Sequence, residues 1–150
     1  TLEQAIRPVP KVGEGLKLDA ALLSQAFHDL SERQHINQLT GAIHAAAWLN
    51  KTQGLLQVRE DVGRHNALDK LIGSLAKTDT DFNQGWLLVT SRASYEMVQK
   101  AASVGITLLA AISAPTALAI RLAEQSGLTL IGFTRGDRHV VYTHPLRLQH

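Results

Sequence analysis

The segment that decides the fold reads GWLLVTSRASYEMVQKAASVGITLLAAISAPTALAIRLAEQSGLTLIGF and runs from Gly85 to Phe133. It contains three apolar runs of strand length, Gly85 to Thr90, Ile106 to Ile112 and Leu128 to Phe133. A polar turn follows each of the first two runs and leads into apolar residues at helical spacing, and Gly127 closes the second of these helices as a C-cap. Repeated strand, turn and helix units predict parallel strands joined by helical crossovers.

The rest of the chain predicts further elements on both sides of this segment. Before it we expect an extended lead-in over residues 1–18 and then a helix that Asp19 caps, with an apolar face of Leu22, Leu23, Ala26, Phe27 and Leu30. A hairpin of Ala42–Leu49 with Leu55–Val58 and a helix over Gly63–Ala76 come next. After the segment we expect a last strand over His139–Thr143. The resulting order is α-ββ-αβ-αβ-αβ-β, which predicts one α/β domain over residues 19–150 with a mainly parallel sheet covered on both faces.

Length and composition set the class of protein. The 150 residues are 45% hydrophobic and 19% charged, which suits one domain. No apolar run approaches the ~20 residues of a membrane-spanning helix, and a net charge of +2 is too small to favour nucleic-acid binding. The absence of cysteine excludes disulfides, thiolate zinc sites and a cysteine nucleophile within these residues. The chain opens at Thr1 with no basic and apolar leader, and we expect a fragment or processed product of a cytoplasmic protein.

Three polar turns are expected at strand ends, and they carry the candidate chemistry. They are Glu60–His65, Thr90–Ser94 and Ser113–Thr116. Helix N-termini offer unpaired N–H groups and a favourable dipole, so these turns suit an anionic ligand such as a phosphate. The alternative is that their Ser and Thr residues only cap helices, for which they are the preferred residues.

Each charged candidate also has a structural interpretation. Arg92 suits bidentate binding of phosphate or carboxylate, or it forms an ion pair with Glu96 one turn on. His44 lies within an apolar strand, which is more typical of a satisfied core histidine than of a ligand. His65 opens a helix beside Asp61, where a functional role and a structural hydrogen bond are both open.

Several motifs with a known chemistry do not occur in the chain. No two histidines have the spacing of a zinc motif on one helix, and the sequence contains no Gly-x-Ser-x-Gly elbow, Walker loop or Gly-x-Gly-x-x-Gly. The residues alone therefore predict an α/β domain with an anion site and no intrinsic metal.

Five blocks of sequence add a resemblance to a known family. They are Thr40–Ala47, Glu60–Lys70, Ser91–Lys100, Ser113–Thr116 and Tyr142–Pro145. The blocks are ungapped and in order, they span Thr40 to Pro145, and together they closely resemble the formate dehydrogenase accessory protein family, FdhD.

This resemblance implies a sulfur carrier. The family takes persulfide sulfur from a cysteine desulfurase and passes it to the molybdenum guanine dinucleotide cofactor of formate dehydrogenase, and its members are thought of as homodimers. Its sulfur-bearing residues are a Cys-x-x-Cys pair, which we expect upstream of Thr1. This chain would then be the cofactor-binding half of a sulfurtransferase. The alternative is a non-catalytic chaperone that binds the guanine nucleotide and docks the cofactor to the apo-enzyme.

The resemblance also implies a three-layer α/β/α fold similar to that of cytidine deaminases. In deaminases one helix begins with a His or Cys, and a catalytic Glu follows two residues later. The next helix supplies a Cys pair to zinc. The matching residues here are His65 and Ala67 on the first helix and the turn Ser91–Ser94 on the second. Without the Glu and the Cys ligands, deamination is excluded, but the crevice remains suited to a purine nucleotide.

The site expected from the resemblance binds the guanine dinucleotide, for which GDP is the surrogate, and has no catalytic residue of its own. We expect Arg64 and Arg92 to contact phosphates, and Asp61, His65 and Asn66 to contact the base or the ribose. The pyrophosphate is expected to meet Ser91, Ser94, Ser113 and Thr116. His44 would line the floor of the site, and Tyr95 would either stack on a base or pack in the core.

Overall fold

The structure is a computed structural model that describes residues 9–34, 43–135 and 137–150. Its helices and strands follow the predicted order, with one further two-residue strand at each end. The elements are β1 (Leu18–Asp19), α1 (Ala21–Arg33), β2 (His44–Asn50), β3 (Gly54–Asp61), α2 (Arg64–Ala76), β4 (Gly85–Val89), α3 (Tyr95–Ser103), β5 (Leu108–Ala111), α4 (Ala117–Ser126), β6 (Thr129–Arg135), β7 (Arg138–Val141) and β8 (Leu148–Gln149), with short 3₁₀ turns at Phe82–Gln84 and Pro145–Arg147.

The described residues form a six-stranded sheet in the order β3-β2-β4-β5-β6-β7. β4, β5 and β6 pair in parallel, β2 runs antiparallel to both β3 and β4, and β7 runs antiparallel to β6. β3, β4, β5 and β6 therefore point in one direction, which confirms the prediction of a mixed, mainly parallel sheet. The carboxyl ends of these four strands lie at one edge of the sheet, which we call the carboxyl edge.

Side chains of the sheet alternate between two apolar layers because successive residues of a strand point to opposite faces. In β4, Leu87 and Val89 pack with α2, α3 and α4, whereas Trp86 and Leu88 pack with α1 and the lead-in residue Leu16. The three crossover helices thus cover one face and α1 covers the other, as expected for three layers.

A two-stranded parallel sheet joins the two ends of the described chain. Leu18 pairs with Leu148, and both side chains are buried. Arg147, in the turn before β8, donates from Nε to the Glu14 carbonyl at 2.8 Å and from Nη2 to the Gly13 carbonyl at 2.7 Å. The segment before β1 is therefore fastened to the domain through backbone carbonyls.

Most helix ends match the sequence interpretation, with one difference. Gly127 ends α4 with a φ of +83°, as predicted for a C-cap. Asp19 is not the cap of α1, since the cap position belongs to Ala20, although the Asp19 carboxylate still accepts a hydrogen bond from the Ala21 amide at 2.9 Å. None of the helices in the described ranges is both long and apolar enough to cross a membrane.

Gly85 marks a close contact between β2 and β4. A Cβ atom at this position would lie 2.6 Å from Cε2 of Trp48 and 2.7 Å from the Leu49 carbonyl oxygen. Both neighbours are held in place, because Trp48 is buried and Leu49 pairs with Trp86 in the sheet. Only glycine fits here.

We predict that Gly85→Ala lowers the free energy of unfolding by about 1–3 kcal/mol, the usual cost of overpacking a core. The matched control is Gly73→Ala in the interior of α2, where an added Cβ meets no atom within 4 Å. That variant is expected to gain about 0.5–1 kcal/mol from its better helix propensity. Urea unfolding followed by circular dichroism measures both, and equal midpoints would contradict the close contact.

Candidate functional site

The candidate site lies at the carboxyl edge, where the three predicted turns follow β3, β4 and β5. Backbone hydrogen bonds join the last two turns to each other and to the sheet. The Thr90 amide donates to the Ala45 carbonyl at 3.1 Å, and the Thr116 amide donates to the Ala93 carbonyl at 3.0 Å. The N-termini of α3 and α4 are thereby brought side by side, each offering unpaired amides to the same edge.

His65, Ser94 and Glu96 form one hydrogen-bonded unit. The Nδ1 atom of His65 lies 3.0 Å from Oε2 of Glu96, and its Nε2 atom lies 3.3 Å from Oγ of Ser94. A carboxylate only accepts hydrogen bonds, so Glu96 holds the proton on Nδ1 and orients the imidazole. The unit ties the first turn of α2 to the first turn of α3.

Arg92 has a different partner from the one considered for it. The structure pairs Glu96 with His65, and Arg92 forms no ion pair with Glu96. The Nε atom of Arg92 instead donates to the Ala114 carbonyl at 3.2 Å, which places an exposed guanidinium beside the Ser113–Thr116 turn. A cation therefore sits between the two helix N-termini, an arrangement that favours an anion.

The hydroxyls of Ser94 and Thr116 are helix caps. Ser94 accepts from the Met97 amide at 3.4 Å and Thr116 accepts from the Ala119 amide at 3.1 Å. Both residues therefore cap their helices, and their contact with a pyrophosphate stays a prediction. Ser91 is buried and its hydroxyl donates to the Arg92 carbonyl at 3.1 Å, so this side chain turns inward and away from the site.

The remaining predicted residues are spread along the same edge. His44 begins β2, is half-buried and lies opposite Asp61 in the register of the hairpin. Tyr95 is half-buried and packs against the core on the helix-rich face, which favours its structural interpretation. Arg64 is exposed at the start of α2, and the half-buried Ser113 accepts a 3.3 Å hydrogen bond from the Phe133 amide through its carbonyl.

Asp61 is an ionised carboxylate held by several donors. Lys70 Nζ lies 2.6 Å from its Oδ2 atom, the Gly63 amide donates to its Oδ1 atom at 2.9 Å, and the exposed side chain of Asn66 adds a further hydrogen bond. The hydrogen bond from Lys70 is the largest cause that keeps the pKa of Asp61 below its ordinary value of 3.8, and that from Gly63 is the next. These contacts fix the turn that leads from β3 into α2.

The residues that match deaminase zinc ligands do not fit a zinc ion. The structure brings His65 and Ser94 together, but Ser94 offers a hydroxyl where a thiolate would be needed. The other imidazole nitrogen is paired with Glu96. Over the described ranges, no cluster of three or more His, Asp or Glu side chains is arranged to hold a metal.

Two of these pairings cannot be predicted from the sequence. The sequence offers Glu96 as a partner for Arg92, and it does not link Lys70 to Asp61. Lys70 lies nine residues after Asp61 and across a turn, so no periodic pattern links the two. The signal for Glu96 was weak but present, because an acidic residue in the first turn of a helix can also reach a neighbouring helix.

The whole sequence agrees with one family. Residues 1–149 match the model of the FdhD/NarQ family. The chain belongs to this family.

Relatives of this FdhD/NarQ chain carry informative names. It is 55% identical over 150 residues to the sulfur carrier protein FdhD of Cupriavidus necator, and 57% identical over 149 residues to that of Xanthomonas campestris pv. campestris. These matches cover 100% and 99% of this chain but 52% and 53% of the relatives. The chain therefore spans about half the length of the curated relatives it matches.

A solved structure agrees with the fold. The crystal structure of a protein described as a formate dehydrogenase accessory protein, from Desulfotalea psychrophila, superposes with a TM-score of 0.85 at 29% sequence identity. The match covers 94% of this chain and 60% of that chain. The α/β fold is thus that of an FdhD/NarQ relative.

We predict that Lys70→Met raises the pKa of Asp61 towards 3.8, since the variant removes the largest cause of its lowering. A depressed folded-state pKa means that ionised Asp61 stabilises the fold above pH 3.8 and that this contribution is lost as the pH falls through the folded-state value. Carboxyl carbon shifts in an NMR titration measure the change.

The matched control is Lys100→Met, which removes a lysine paired with Asp69 at 2.7 Å. It should leave the Asp61 titration unchanged. An unchanged Asp61 pKa in Lys70→Met would show that the lysine is not the dominant partner.

Proposed function

We propose that this chain is the cofactor-binding part of a sulfur carrier protein that serves formate dehydrogenase. In this proposal the whole protein receives persulfide sulfur from a cysteine desulfurase and passes it to the molybdenum guanine dinucleotide, which is its substrate. The names of the relatives support a sulfur carrier, and that of the solved structure supports a formate dehydrogenase partner. The site described here would hold the guanine nucleotide end of the substrate.

The observation that carries the proposal is the convergence of Arg92 and two helix N-termini at the carboxyl edge. The Thr116 amide bonds to the Ala93 carbonyl, and Arg92 bonds to the Ala114 carbonyl, so a phosphate there would meet both helix dipoles and a guanidinium. His65, oriented by Glu96, would add a ring beside Ser94. The combination suits a pyrophosphate better than a neutral ligand.

A second candidate is a nucleotide-binding chaperone without chemistry of its own. These 150 residues contain no cysteine, so a persulfide would have to form on another part of the whole protein. The two candidates agree on the bound nucleotide and differ in whether the whole protein carries sulfur. A homodimer and a cytoplasmic location are part of both proposals.

We predict that GDP binds this chain saturably and that Arg92→Ala and His65→Ala weaken the binding. Loss of one charge-assisted hydrogen bond costs about 1.5–3 kcal/mol, which is roughly a 10- to 150-fold loss of affinity. Isothermal titration calorimetry measures this.

The control is Arg33→Ala, which also removes one positive charge but from an exposed position at the end of α1, on the other face of the sheet. It should bind GDP like the unchanged chain. No GDP binding by the folded chain, or equal binding by Arg92→Ala, would contradict the proposed site.

We further predict a separation of two steps in the whole protein. Arg92→Ala should reduce activation of formate dehydrogenase, because the substrate is held less tightly, while cysteine persulfide still forms on incubation with the desulfurase and L-cysteine. Formate oxidation measures the first and intact-protein mass spectrometry the second. Loss of the persulfide together with activity would assign Arg92 to sulfur loading instead.

A further inference from the structure

The hydrogen-bonded unit of His65, Ser94 and Glu96 has the order of a catalytic triad, with a hydroxyl next to a base and the base next to an acid. Oγ of Ser94 lies 3.3 Å from Nε2 of His65, and Nδ1 of the same ring lies 3.0 Å from Oε2 of Glu96. Because the Glu96 carboxylate holds the ring proton on Nδ1, Nε2 is left as an acceptor. The Ser94 hydroxyl then donates to Nε2, which is the direction that a serine nucleophile requires.

The Ser94 oxygen keeps a lone pair for attack on a substrate. A hydroxyl has one proton and two acceptor positions. The proton faces His65, and one acceptor position takes the 3.4 Å hydrogen bond from the Met97 amide. Within the residues that the structure describes, no second donor reaches this oxygen. Ser94 is half-buried, so its hydroxyl can meet a small molecule from solvent.

Backbone donors stand next to this hydroxyl. β4 ends at Val89, a short turn follows, and Ser94 is the cap residue of α3. The nucleophilic serine of α/β-hydrolases occupies the same place between a strand and a helix, and the amide of the residue after it stabilises the oxyanion. Here that amide belongs to Tyr95, in the first turn of α3, where amides have no partner within the helix. Negative charge on a carbonyl oxygen would meet this N–H and the positive end of the helix dipole.

The backbone that carries these groups is fixed by the core. Ala93 and Met97, on either side of Ser94 in the chain, are buried, and so is Ala67, two residues after His65. All three belong to the apolar layer on the helix-rich face of the sheet. The base and the hydroxyl are therefore held at a set distance before any substrate binds, which is the condition for efficient catalysis by proximity.

Sequence motifs do not reveal this arrangement. His65 and Ser94 are 29 positions apart, and the two glycine positions of a Gly-x-Ser-x-Gly motif are occupied by Arg92 and Glu96. Those glycines serve a strained turn. Ser94 has a φ of −93° and a ψ of 165°, an ordinary extended conformation, so the turn here does not need them.

Arg92 defines the class of substrate. It lies two residues before Ser94, and its exposed guanidinium is held beside the Ser113–Thr116 turn by the 3.2 Å hydrogen bond from Nε to the Ala114 carbonyl. A substrate whose carbonyl group lies at Ser94 would therefore gain from a negative group that reaches this cation and the N-terminus of α4. The fitting class is a carboxylic ester with a negative charge near its carbonyl group.

We propose that Ser94, His65 and Glu96 form an esterase centre that hydrolyses anionic carboxylic esters. Oγ of Ser94 forms a bond to the carbonyl carbon while its proton passes to Nε2 of His65. The bond from that carbon to the alcohol oxygen then breaks, and His65 gives the proton to the leaving alcohol. Water attacks the acyl-serine and gives a proton to His65, the acid leaves, and the serine oxygen takes the proton back. One water is consumed for each ester cleaved.

A fluorophosphonate probe tests the nucleophile, because it reacts with serines that a neighbouring base activates. We expect the folded 150-residue chain to take up one probe molecule, which peptide mass spectrometry locates on Ser94. His65→Ala should react about 100-fold more slowly or less, since the base is lost.

The matched control is His144→Ala. It removes another half-buried histidine, whose Nε2 lies 2.9 Å from the Glu124 carbonyl. The backbone of His144 accepts from Thr129 at the beginning of β6, so this residue lies at the sheet edge opposite to the carboxyl edge. The control should react with the probe as fast as the unchanged chain.

Hydrolysis of two esters tests the substrate class. 4-Nitrophenyl hydrogen succinate carries a negative charge and 4-nitrophenyl acetate does not. Arg92→Gln should lower kcat/KM about tenfold for the succinate and leave the acetate unchanged. Ser94→Asn, which keeps a capping residue on α3, should abolish the hydrolysis of both esters. Glu96 is a positioning residue, so Glu96→Gln should lower kcat and leave KM unchanged.

The outcomes separate this inference from the proposed function. An unlabelled Ser94 in the folded chain, or equal labelling of His65→Ala, would overturn the esterase centre and leave the unit as a link between α2 and α3. Equal losses for both esters in Arg92→Gln would overturn the substrate class. Hydrolysis needs no nucleotide, so a labelled Ser94 in a chain that does not bind GDP would support the esterase and contradict the nucleotide site.

Discussion

The parallel pairing of β4, β5 and β6 is the constraint on which the rest of the molecule depends. Parallel neighbours cannot be joined by a tight turn, so each connection must cross the sheet as a helix and bury an apolar side. The same geometry gathers the strand ends, the polar turns and the N-termini of α3 and α4 at one edge. The apolar residues of the core therefore lie on the two faces of the sheet, and the charged groups of the candidate site lie at the carboxyl edge.

The elements that could be predicted from the sequence are those with a repeating pattern or a characteristic terminal residue. The apolar runs of β4 and β5, the helical stripes and the cap at Gly127 all have such local signals, and all are present. The pair of β1 with β8 was not predicted, since two residues show no periodicity and the partners are 130 positions apart. The positive φ of Phe133, +53°, was also not predicted, since bulky L residues rarely adopt this conformation and no sequence pattern marks it.

In the candidate site, too, features with a local signal could be predicted and contacts between distant residues could not. The turns and caps were predicted from the sequence because they directly follow strands. The pairing of Arg92 with Glu96 failed for a geometric reason: Arg92 precedes the cap residue Ser94, so the spacing that brings side chains together on a helix does not apply to it. Glu96 lies on the helix proper and reaches His65, which is 31 positions away and belongs to α2. Contacts between helices depend on how the sheet places them and have no signature in one sequence.

The parallel pair of β1 and β8 gives the domain a particular mechanical character. Consider a force that pulls residue 18 towards the N-terminus and residue 149 towards the C-terminus. Because β1 and β8 are parallel, the two forces act along the strands in opposite directions and load the pair in shear. Its backbone hydrogen bonds then resist together, where an antiparallel pair loaded at one end would open bond by bond. The Arg147 contacts to the Gly13 and Glu14 carbonyls add to this resistance. A load applied through the segment before β1 would therefore act along the strand axis of this pair.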